Sequence, residues 1–296
     1  MLMNREKEIY KVTLVGSAGN VALLTFKFIA GIVGHSSAMI ADAVHSLSDF
    51  LTDLVVIAFV RVSAKPQDES HDYGHGKYET IASFLIGLAL IAAAVGIIVS
   101  GGLKLAAWAG GEQLEAPRMV ALWAALLSIA VKEALYRYTA IKGKKLNSTA
   151  VISNAWHHRS DALSSIGATL GIGGAILLGD RWTVLDPLAS IVVGLMLVKV
   201  AIGLLKASIG ELTDASLSQE MEQEIEEIIT SLPHVSHPHN LRTRRIGNRL
   251  AIEVHVRMDG TMLLTEAHNH ASLIEQRIKQ RFGSDTLVTI HMEPAT

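Results

Sequence analysis

The chain has 296 residues, of which 50% are hydrophobic and only 18% are charged, and its formal net charge is -2. Soluble proteins carry about 25% charged residues, so this composition predicts a membrane protein. The nearly neutral charge argues against a nucleic-acid partner, which would need a concentrated basic surface. The absence of cysteine excludes disulfide bonds and thiolate metal ligands.

The N-terminal segment MLMNREKEIYK lacks the small-residue cleavage site of a secretory signal peptide, which predicts a retained cytoplasmic segment. Beyond it, apolar stretches alternate with short polar ones as far as Leu205. A membrane-spanning helix needs about 20 residues, and six stretches approach or exceed this length. They are Val12–Val33, Ala38–Val60, Thr80–Leu103, Ala116–Tyr138, Val151–Leu178 and Val184–Leu205.

Lysine and arginine are unevenly distributed among the connections between these spans. The segments before the first span and after the second and fourth are basic, with Arg5, Lys7, Lys11, Arg61, Lys65, Lys77, Arg137, Lys142, Lys144 and Lys145. The opposite connections carry only Lys104, Arg118 and Arg181. Because basic loops tend to remain in the cytoplasm, both termini are predicted to be cytoplasmic.

After about Gly210 the pattern becomes that of a small soluble domain. Ser216 or Ser218 can cap a helix with apolar residues at helical spacing. The elements that follow are strands over Asn240–Ile246 and Leu250–Met258, a helix over Thr265–Phe282 and a strand over Thr286–Met292. This α-β-β-α-β order predicts an α+β domain at residues 211–296, after a six-helix transmembrane domain at residues 1–210.

Two of the predicted spans contain histidine and aspartate at the same spacing. His45 precedes Asp49 in the second span, and His157 precedes Asp161 in the fifth. Residues four apart share one helical face, so two facing helices would supply two imidazoles and two carboxylates, a set suited to tetrahedral zinc. Ionisable groups inside a membrane are costly and usually functional, which favours a metal site over packing roles.

The roles of three other polar residues in these spans are less clearly indicated by the sequence. His158 points about 100° away from His157, which favours a structural or interfacial role. Asp42 and Asp53 could each cap a helix, line a water-filled cavity or pair with a lysine. Metal binding to carboxylate and imidazole requires their deprotonation, so the site suits exchange of a metal ion for protons. A proton flux independent of metal would contradict this antiport hypothesis.

Two further groups outside the spans contain possible ligands. In the loop after the second span, Asp68, His71 and His75 fit a metal site and a solvated charged loop equally well. The C-terminal histidines and acid come from separate predicted elements, and spacing alone favours exposed histidines there; this set is His239, His255, His268, His291 and Glu293. His234, His237 and His270 are predicted to be surface residues.

Four segments together resemble the cation diffusion facilitator family. They are SSAMIADAVHSLSDFLTD, DYGHGKYE, NAWHHRSDALSS and HNLRTRRIGNRLAIEVHV, in the family's order, and the resemblance covers about Lys11 to Glu293. The resemblance implies a six-span homodimer with a cytoplasmic metallochaperone-like domain of ferredoxin-like type that exchanges metal for protons. It also implies a transport site at His45, Asp49, His157 and Asp161.

The same resemblance implies roles for the two outer groups. Asp68, His71 and His75 match the family's loop site, and the five C-terminal residues named above match its regulatory site near the dimer interface. Lys77 matches a position that forms a salt bridge near the dimer contact, for which Asp214 is the expected partner here. Zn²⁺ is then both substrate and regulatory ligand, and no organic cofactor is expected.

The chain departs from the family pattern at three places. His45 stands where bacterial relatives often have aspartate, which should favour zinc over manganese or magnesium. Glu293 replaces the aspartate of close relatives, and the connection Lys142–Ser148 lacks the histidine-rich loop of eukaryotic zinc transporters. The compact chain favours a bacterial plasma (inner) membrane.

The sequence therefore predicts a zinc/proton antiporter, with alternatives. Within the same class, the metal could be iron, cadmium, cobalt or nickel. An intramembrane metalloenzyme would need an open coordination position and a general base, and the His-Glu-x-x-His string that supplies these in one large class is absent. A membrane metal sensor would not need acidic residues such as Asp49 and Asp161 at membrane depth.

Overall fold

A computed structural model describes residues 2–63, 65, 67–145, 149–247 and 249–295. The side chains of residues 2–11, 13, 52–61, 63, 149–154, 157, 160 and 164 lie outside the described part. The chain forms two compact units. The first comprises Met1–Leu54 with Ile86–Gly203, and the second comprises Val55–Leu85 with Leu204–Thr296.

Long helices make up the first two-thirds of the chain. They are α1 (Leu2–Val33), α2 (Ser37–Ser63), α3 (Lys77–Ala109), α4 (Met119–Lys145), α5 (Thr149–Leu177) and α6 (Leu185–Leu212). In the described part, four segments are long and apolar enough to cross a membrane: Leu14–Val33, Lys77–Ala109, Met119–Lys145 and Asp180–Leu212. In α5, the shorter stretch Asp161–Leu177 is apolar. The ionisable residues of the predicted metal site interrupt the apolar sequence of α2 and α5, although both helices are continuous.

Helix α4 begins three residues later than the predicted Ala116. Pro117 has no amide hydrogen to donate, and the amide of Arg118 donates to the carbonyl of Gly34 at 2.8 Å instead of entering the helix. This bond ties the start of α4 to the end of α1. The buried face of α4 then consists largely of small residues, including Ala121, Ala125 and Ser128, which permit close approach of neighbouring helices.

Helices α5 and α6 approach closely at a position where α5 has no side chain. A Cβ atom on Gly171 would lie 2.3 Å from Cβ of Ala189 and 2.9 Å from the carbonyl oxygen of Leu185. One turn earlier on the same helix, a Cβ atom on Gly167 would meet nothing within 4 Å. Gly171 is thus a packing requirement of the helical unit, whereas Gly167 is not.

The C-terminal domain consists of α7 (Gln219–Thr230), β1 (Ser236–Ile246), β2 (Arg249–Asp259), α8 (Leu264–Phe282) and β3 (Leu287–Ala295). The sheet order is β1-β2-β3, with β1 antiparallel and β3 parallel to β2. This is the α-β-β-α-β order predicted from the sequence. Strand β1 starts four residues earlier than the predicted Asn240, because two register shifts in its pairing with β2 interrupt the alternation that marks a strand.

One face of the central strand forms the core of this domain. Alternate residues of β2, from Leu250 to Met258, are buried against the apolar faces of α7 and α8, whose Ile225, Ile229, Ile274 and Ile278 are fully buried. The intervening residues of β2, such as His255, therefore project from the opposite face of the sheet. The two helices cover one face, and the histidine-bearing face is left without them.

We expect Gly171→Ala to destabilise the helical unit, because its new methyl group must push α6 away from α5. Overpacking of this kind costs about 1–3 kcal/mol, and thermal unfolding in detergent should shift to lower temperature. Gly167→Ala is the matched control on the same helix and should leave the unfolding temperature unchanged or raise it slightly. Equal shifts in the two variants would contradict this account of the α5–α6 contact.

Candidate metal centres

The first candidate centre lies between α2 and α5. His45 and Asp49 of α2 and Asp161 of α5 each offer a ligand atom, and these atoms all lie within 4.8 Å of one another. Nδ1 of His45 is buried and has no hydrogen-bond partner among the described residues, which leaves it available to a metal ion. Because Zn²⁺ binds such ligands at about 2.0–2.2 Å, small side-chain movements would close the group around one ion.

The fourth predicted ligand cannot be placed in the same way. The side chain of His157 lies outside the described residues, although its backbone is in α5, one turn before Asp161. Its neighbour His158 is buried and packs against α1, where a Cβ atom on Gly16 would lie 3.2 Å from its Nε2. The described residues thus bring together three of the four predicted ligands.

Two buried lysines accompany this centre, and neither was predicted from the sequence to lie there. Nζ of Lys132, on α4, lies 2.6 Å from Oδ2 of Asp161. Nζ of Lys27, on α1, lies 2.7 Å from Oδ2 of Asp42. A lysine inside an apolar span is itself a signal of function, because an unpaired charge there is costly, and this signal was present at both positions.

The Lys27–Asp42 pair belongs to a wider polar network. Lys27 also donates to the hydroxyl groups of Ser46 at 3.0 Å and Ser165 at 3.3 Å, and Ser165 donates to Asp42 at 3.0 Å. Of the three roles considered for Asp42, the structure therefore shows pairing with a lysine. The side chain of Asp53, the other ambiguous aspartate, lies outside the described residues.

The second candidate centre is in the loop between α2 and α3. Asp68, His71 and His75 form a group with ligand atoms within 4.8 Å of one another, and Nε2 of His75 lies 3.4 Å from Oδ2 of Asp68. The hydroxyl and amide groups of Ser70 both donate to Asp68, together with the amide of His71. Hydrogen bonds from Ser70, above all, lower the pKa of Asp68 to about 2, so this carboxylate is ionised and ready to bind a cation.

The two glycines of the Gly-His-Gly-Lys motif hold this loop in place for different reasons. Gly74 has a φ of 75°, a conformation that other residues rarely adopt. Gly76 instead lies against the turn between β1 and β2, where a Cβ atom would be 2.6 Å from the carbonyl oxygen of Ile246. His75 is therefore presented between one glycine needed for conformation and another needed for close contact.

Further polar contacts within the second compact unit join the start of α3, the end of α6 and the β1–β2 hairpin. Nζ of Lys77 lies 2.8 Å from Oδ1 of Asp214, and a guanidinium nitrogen of Arg244 lies 3.2 Å from Oδ2. The Lys77 ammonium, as a hydrogen-bond donor and a neighbouring charge, lowers the pKa of Asp214. Glu211 accepts hydrogen bonds from Thr80 at 2.7 Å and from the amide of Gly247 at 2.6 Å, so α3, α6 and β1–β2 are joined.

The third candidate centre is on the open face of the C-terminal sheet. His239, His255 and His291 are aligned across the three strands, because His239 pairs with His255 and His255 pairs with His291. The carboxylate of Glu293 lies 3.2 Å from His239, 3.1 Å from His255 and 4.0 Å from His291. The hydrogen bond to His255 lowers the pKa of Glu293, and the charges of nearby basic groups act in the same direction.

One histidine lies differently from the prediction, and a second has a neighbour that was not predicted. His268, predicted as a ligand, is exposed on α8, and α8 covers the other face of the sheet, so it is not in this group within one chain. His237 is exposed as predicted, but its ring centroid lies 5.3 Å from that of His239. Its position beside the centre was not predicted. The start of β1 is irregular, so the sequence shows no alternation that would indicate the direction of this side chain.

Comparison with known families covers nearly the whole chain. Residues 13–213 match the family described as "Cation efflux transmembrane domain", and residues 217–295 match "Cation efflux protein, cytoplasmic domain". The chain is similar to the manganese efflux system protein MneP of Bacillus subtilis, with 32% identity over 298 residues, 99% of each chain. It is also similar to an uncharacterized transporter of Methanocaldococcus jannaschii, with 36% identity over 280 residues, 94% of each chain.

Among solved structures, the chain is similar to the metal-bound C-terminal domain of the CzcD transporter from Thermotoga maritima. The identity is 32%, the match covers 26% of this chain and 94% of that one, and the TM-score is 0.25.

The apolar helices, the acid–histidine group between α2 and α5 and the matches to the family and to its curated relatives define a multi-pass membrane transporter that carries out efflux of divalent metal cations. The chain belongs to the cation efflux family, also called the cation diffusion facilitators, and carries both its transmembrane domain and its cytoplasmic dimerisation domain. Members of this family are transporters and not enzymes, so the metalloenzyme alternative is excluded.

We expect metal binding at the loop centre to depend on Asp68 equally at about pH 6.5 and about pH 8, because its pKa of about 2 keeps it ionised at both. The pKa of Asp68 is lowered from 3.8 to about 2, so the side chain is ionised at any pH well above 2 and becomes protonated only as the pH falls through about 2. In a background with Asp49→Ala and His255→Ala, Asp68→Asn should weaken zinc binding by at least about tenfold at either pH.

Competition with a fluorescent zinc chelator measures this affinity. Asp72→Asn is the matched control, since Asp72 is an exposed carboxylate in the same loop and is not in the ligand group. Loss of the Asp68→Asn effect at the lower pH, while the loop with native Asp68 still binds zinc there, would overturn the prediction.

Proposed function

We propose that this chain exports Zn²⁺ from the cytoplasm in exchange for protons, through the centre formed by His45, Asp49, His157 and Asp161. The observation that carries the proposal is the convergence of His45, Asp49 and Asp161 from two helices to within 4.8 Å of one another. A mixed imidazole and carboxylate set suits zinc. Four protein ligands would hold the ion without an open position for chemistry.

The chemistry of these ligands supports exchange for protons. Carboxylate and imidazole bind a metal ion only when they are deprotonated, so the arrival of protons at the centre opposes metal binding. With access from the cytoplasm, the deprotonated ligands take up the ion; with access from outside, protons replace it. Alternating access then couples export of metal to the inward movement of protons.

A manganese exporter is the second candidate, because the relative MneP is named for manganese efflux. Asp49 and Asp161 would suit manganese, which prefers oxygen ligands, whereas the imidazole of His45 favours zinc, iron, cobalt or nickel. The presence of His45 is the reason for preferring zinc here. Iron, cadmium, cobalt and nickel are candidates of the same kind and belong in the same experiments.

The other two centres are proposed to be regulatory. Asp68, His71 and His75 would bind one ion in the loop, and His239, His255, His291 and Glu293 would bind on the sheet. His268 would approach the centre on the sheet from another copy of the chain, which is consistent with a homodimer. The protein is further proposed to lie in a bacterial plasma (inner) membrane with both termini cytoplasmic.

The main prediction concerns transport in proteoliposomes containing a pH-sensitive dye. Zinc should move with an opposing proton flux through the native chain, and Asp49→Ala should abolish both movements, because a ligand and its charge are lost from the centre. Asp180→Ala, which removes an exposed carboxylate outside the ligand group, should transport as the native chain does. Normal zinc flux through Asp49→Ala would rule out the proposed centre.

The second prediction concerns metal choice. His45→Asp replaces an imidazole by a hard oxygen ligand and should lower the zinc-to-manganese ratio of transport rates by about tenfold or more. Parallel flux measurements with the two metals give this ratio. If the native chain already moves manganese in preference to zinc, the manganese candidate replaces the zinc candidate.

A further inference from the structure

The position of Lys132 relative to the transport centre suggests a role for it in metal release. Its ammonium group lies 2.6 Å from Oδ2 of Asp161, and the side chains of Lys132 and Asp161 are 3% and 7% exposed. Asp161 is one of the three residues whose ligand atoms converge at the centre. A cation carried by the protein itself therefore already occupies one oxygen of a metal ligand.

This arrangement creates competition for Asp161. The ammonium and a divalent ion cannot both lie against the same carboxylate oxygen. If they shared the centre, the ammonium and the ion would repel one another where water is scarce and charges interact strongly. The lysine side chain has a flexible four-carbon stem, so the ammonium can move off Asp161 when the ion arrives.

We propose that Lys132 is a tethered cation that exchanges with the metal ion at Asp161, which helps the transport cycle by limiting how tightly the metal is held. The proposal rests on the proposed function of the same centre. In the empty centre the ammonium balances the buried carboxylate. When the ion has left, the ammonium returns, and it keeps its proton throughout the exchange.

The other buried lysine provides a contrast. Nζ of Lys27 is held by Asp42, Ser46 and Ser165, and Asp42 does not belong to the ligand group. Among the described residues, Nζ of Lys132 has Asp161 as its hydrogen-bond partner. Lys27 is therefore anchored away from the ligands, whereas Lys132 depends on a ligand.

The test compares zinc flux through Lys132→Met and Lys27→Met in proteoliposomes. Removal of the ammonium that competes with the ion should lower KM by at least about fivefold, which is the factor that corresponds to the interaction of two unit charges about 4 Å apart at the dielectric constant of water. Because the ion then leaves more slowly, kcat should fall as well. Lys27→Met should show no decrease in KM, and Lys132→Arg, which keeps the charge, should restore values near the native ones.

An unchanged or higher KM in folded Lys132→Met, with normal zinc flux in the native chain, would overturn the inference and leave the proposed function standing. Absence of zinc flux in the native chain would instead contradict the proposed function. Lys132→Gln serves as a second neutral variant if the Met variant fails to fold. Failure of both neutral variants, with a functional Lys132→Arg, would mean that the pair only holds α4 to α5 and would also overturn the inference.

Discussion

The charge of a carboxylate inside a helical membrane domain must be balanced, and this constraint organises the first compact unit. Asp161 is balanced by Lys132 and Asp42 by Lys27. Asp186 accepts hydrogen bonds from the hydroxyl of Ser36 and from the amides that begin α2. Each of these contacts joins two different helices or a helix to the start of another. The polar contacts that balance these carboxylates thus also join the helices to one another, and one of the carboxylates, Asp161, belongs to the candidate metal centre.

Small residues between the helices allow these charged groups to meet. Apolar side chains alone gain little by exchanging lipid contacts for protein contacts, so close approach at glycine and alanine supplies the dispersion energy. Gly171 on α5 and the alanine face of α4 provide this approach. The acids and lysines can then meet at hydrogen-bond distance without large side chains between the helices.

Periodicity was sufficient to predict much of the fold. The apolar stretches indicated the helices, and the strict alternation around His255 indicated β2 and the face on which this histidine lies. The spacing of His45 and Asp49 predicted one half of the candidate centre between α2 and α5, and the convergence with Asp161 followed from repetition of that spacing. These features were predictable because a regular helix or strand determines the direction of each side chain from its position along the element.

Other features could not be predicted because they depend on contacts between elements. The partners of Lys132 and Lys27 lie on other helices, and no period links them. The start of β1 is irregular, so the position of His237 beside His239 was missed. The placement of His268 depends on which face of the sheet α8 covers, and sequence order alone does not specify that face.

The contact between Gly76 and the β1–β2 turn has a consequence for how this protein can diverge. A Cβ atom on Gly76 would strike Ile246, and one on Gly247 would lie 2.8 Å from the carbonyl oxygen of Gly76. The loop after α2 and the C-terminal sheet are therefore fitted to each other at the level of the backbone, although many residues separate them along the chain. Exchange of C-terminal domains between relatives would have to carry the matching loop, so recombination at a single boundary before α7 would break a unit that selection has to keep whole.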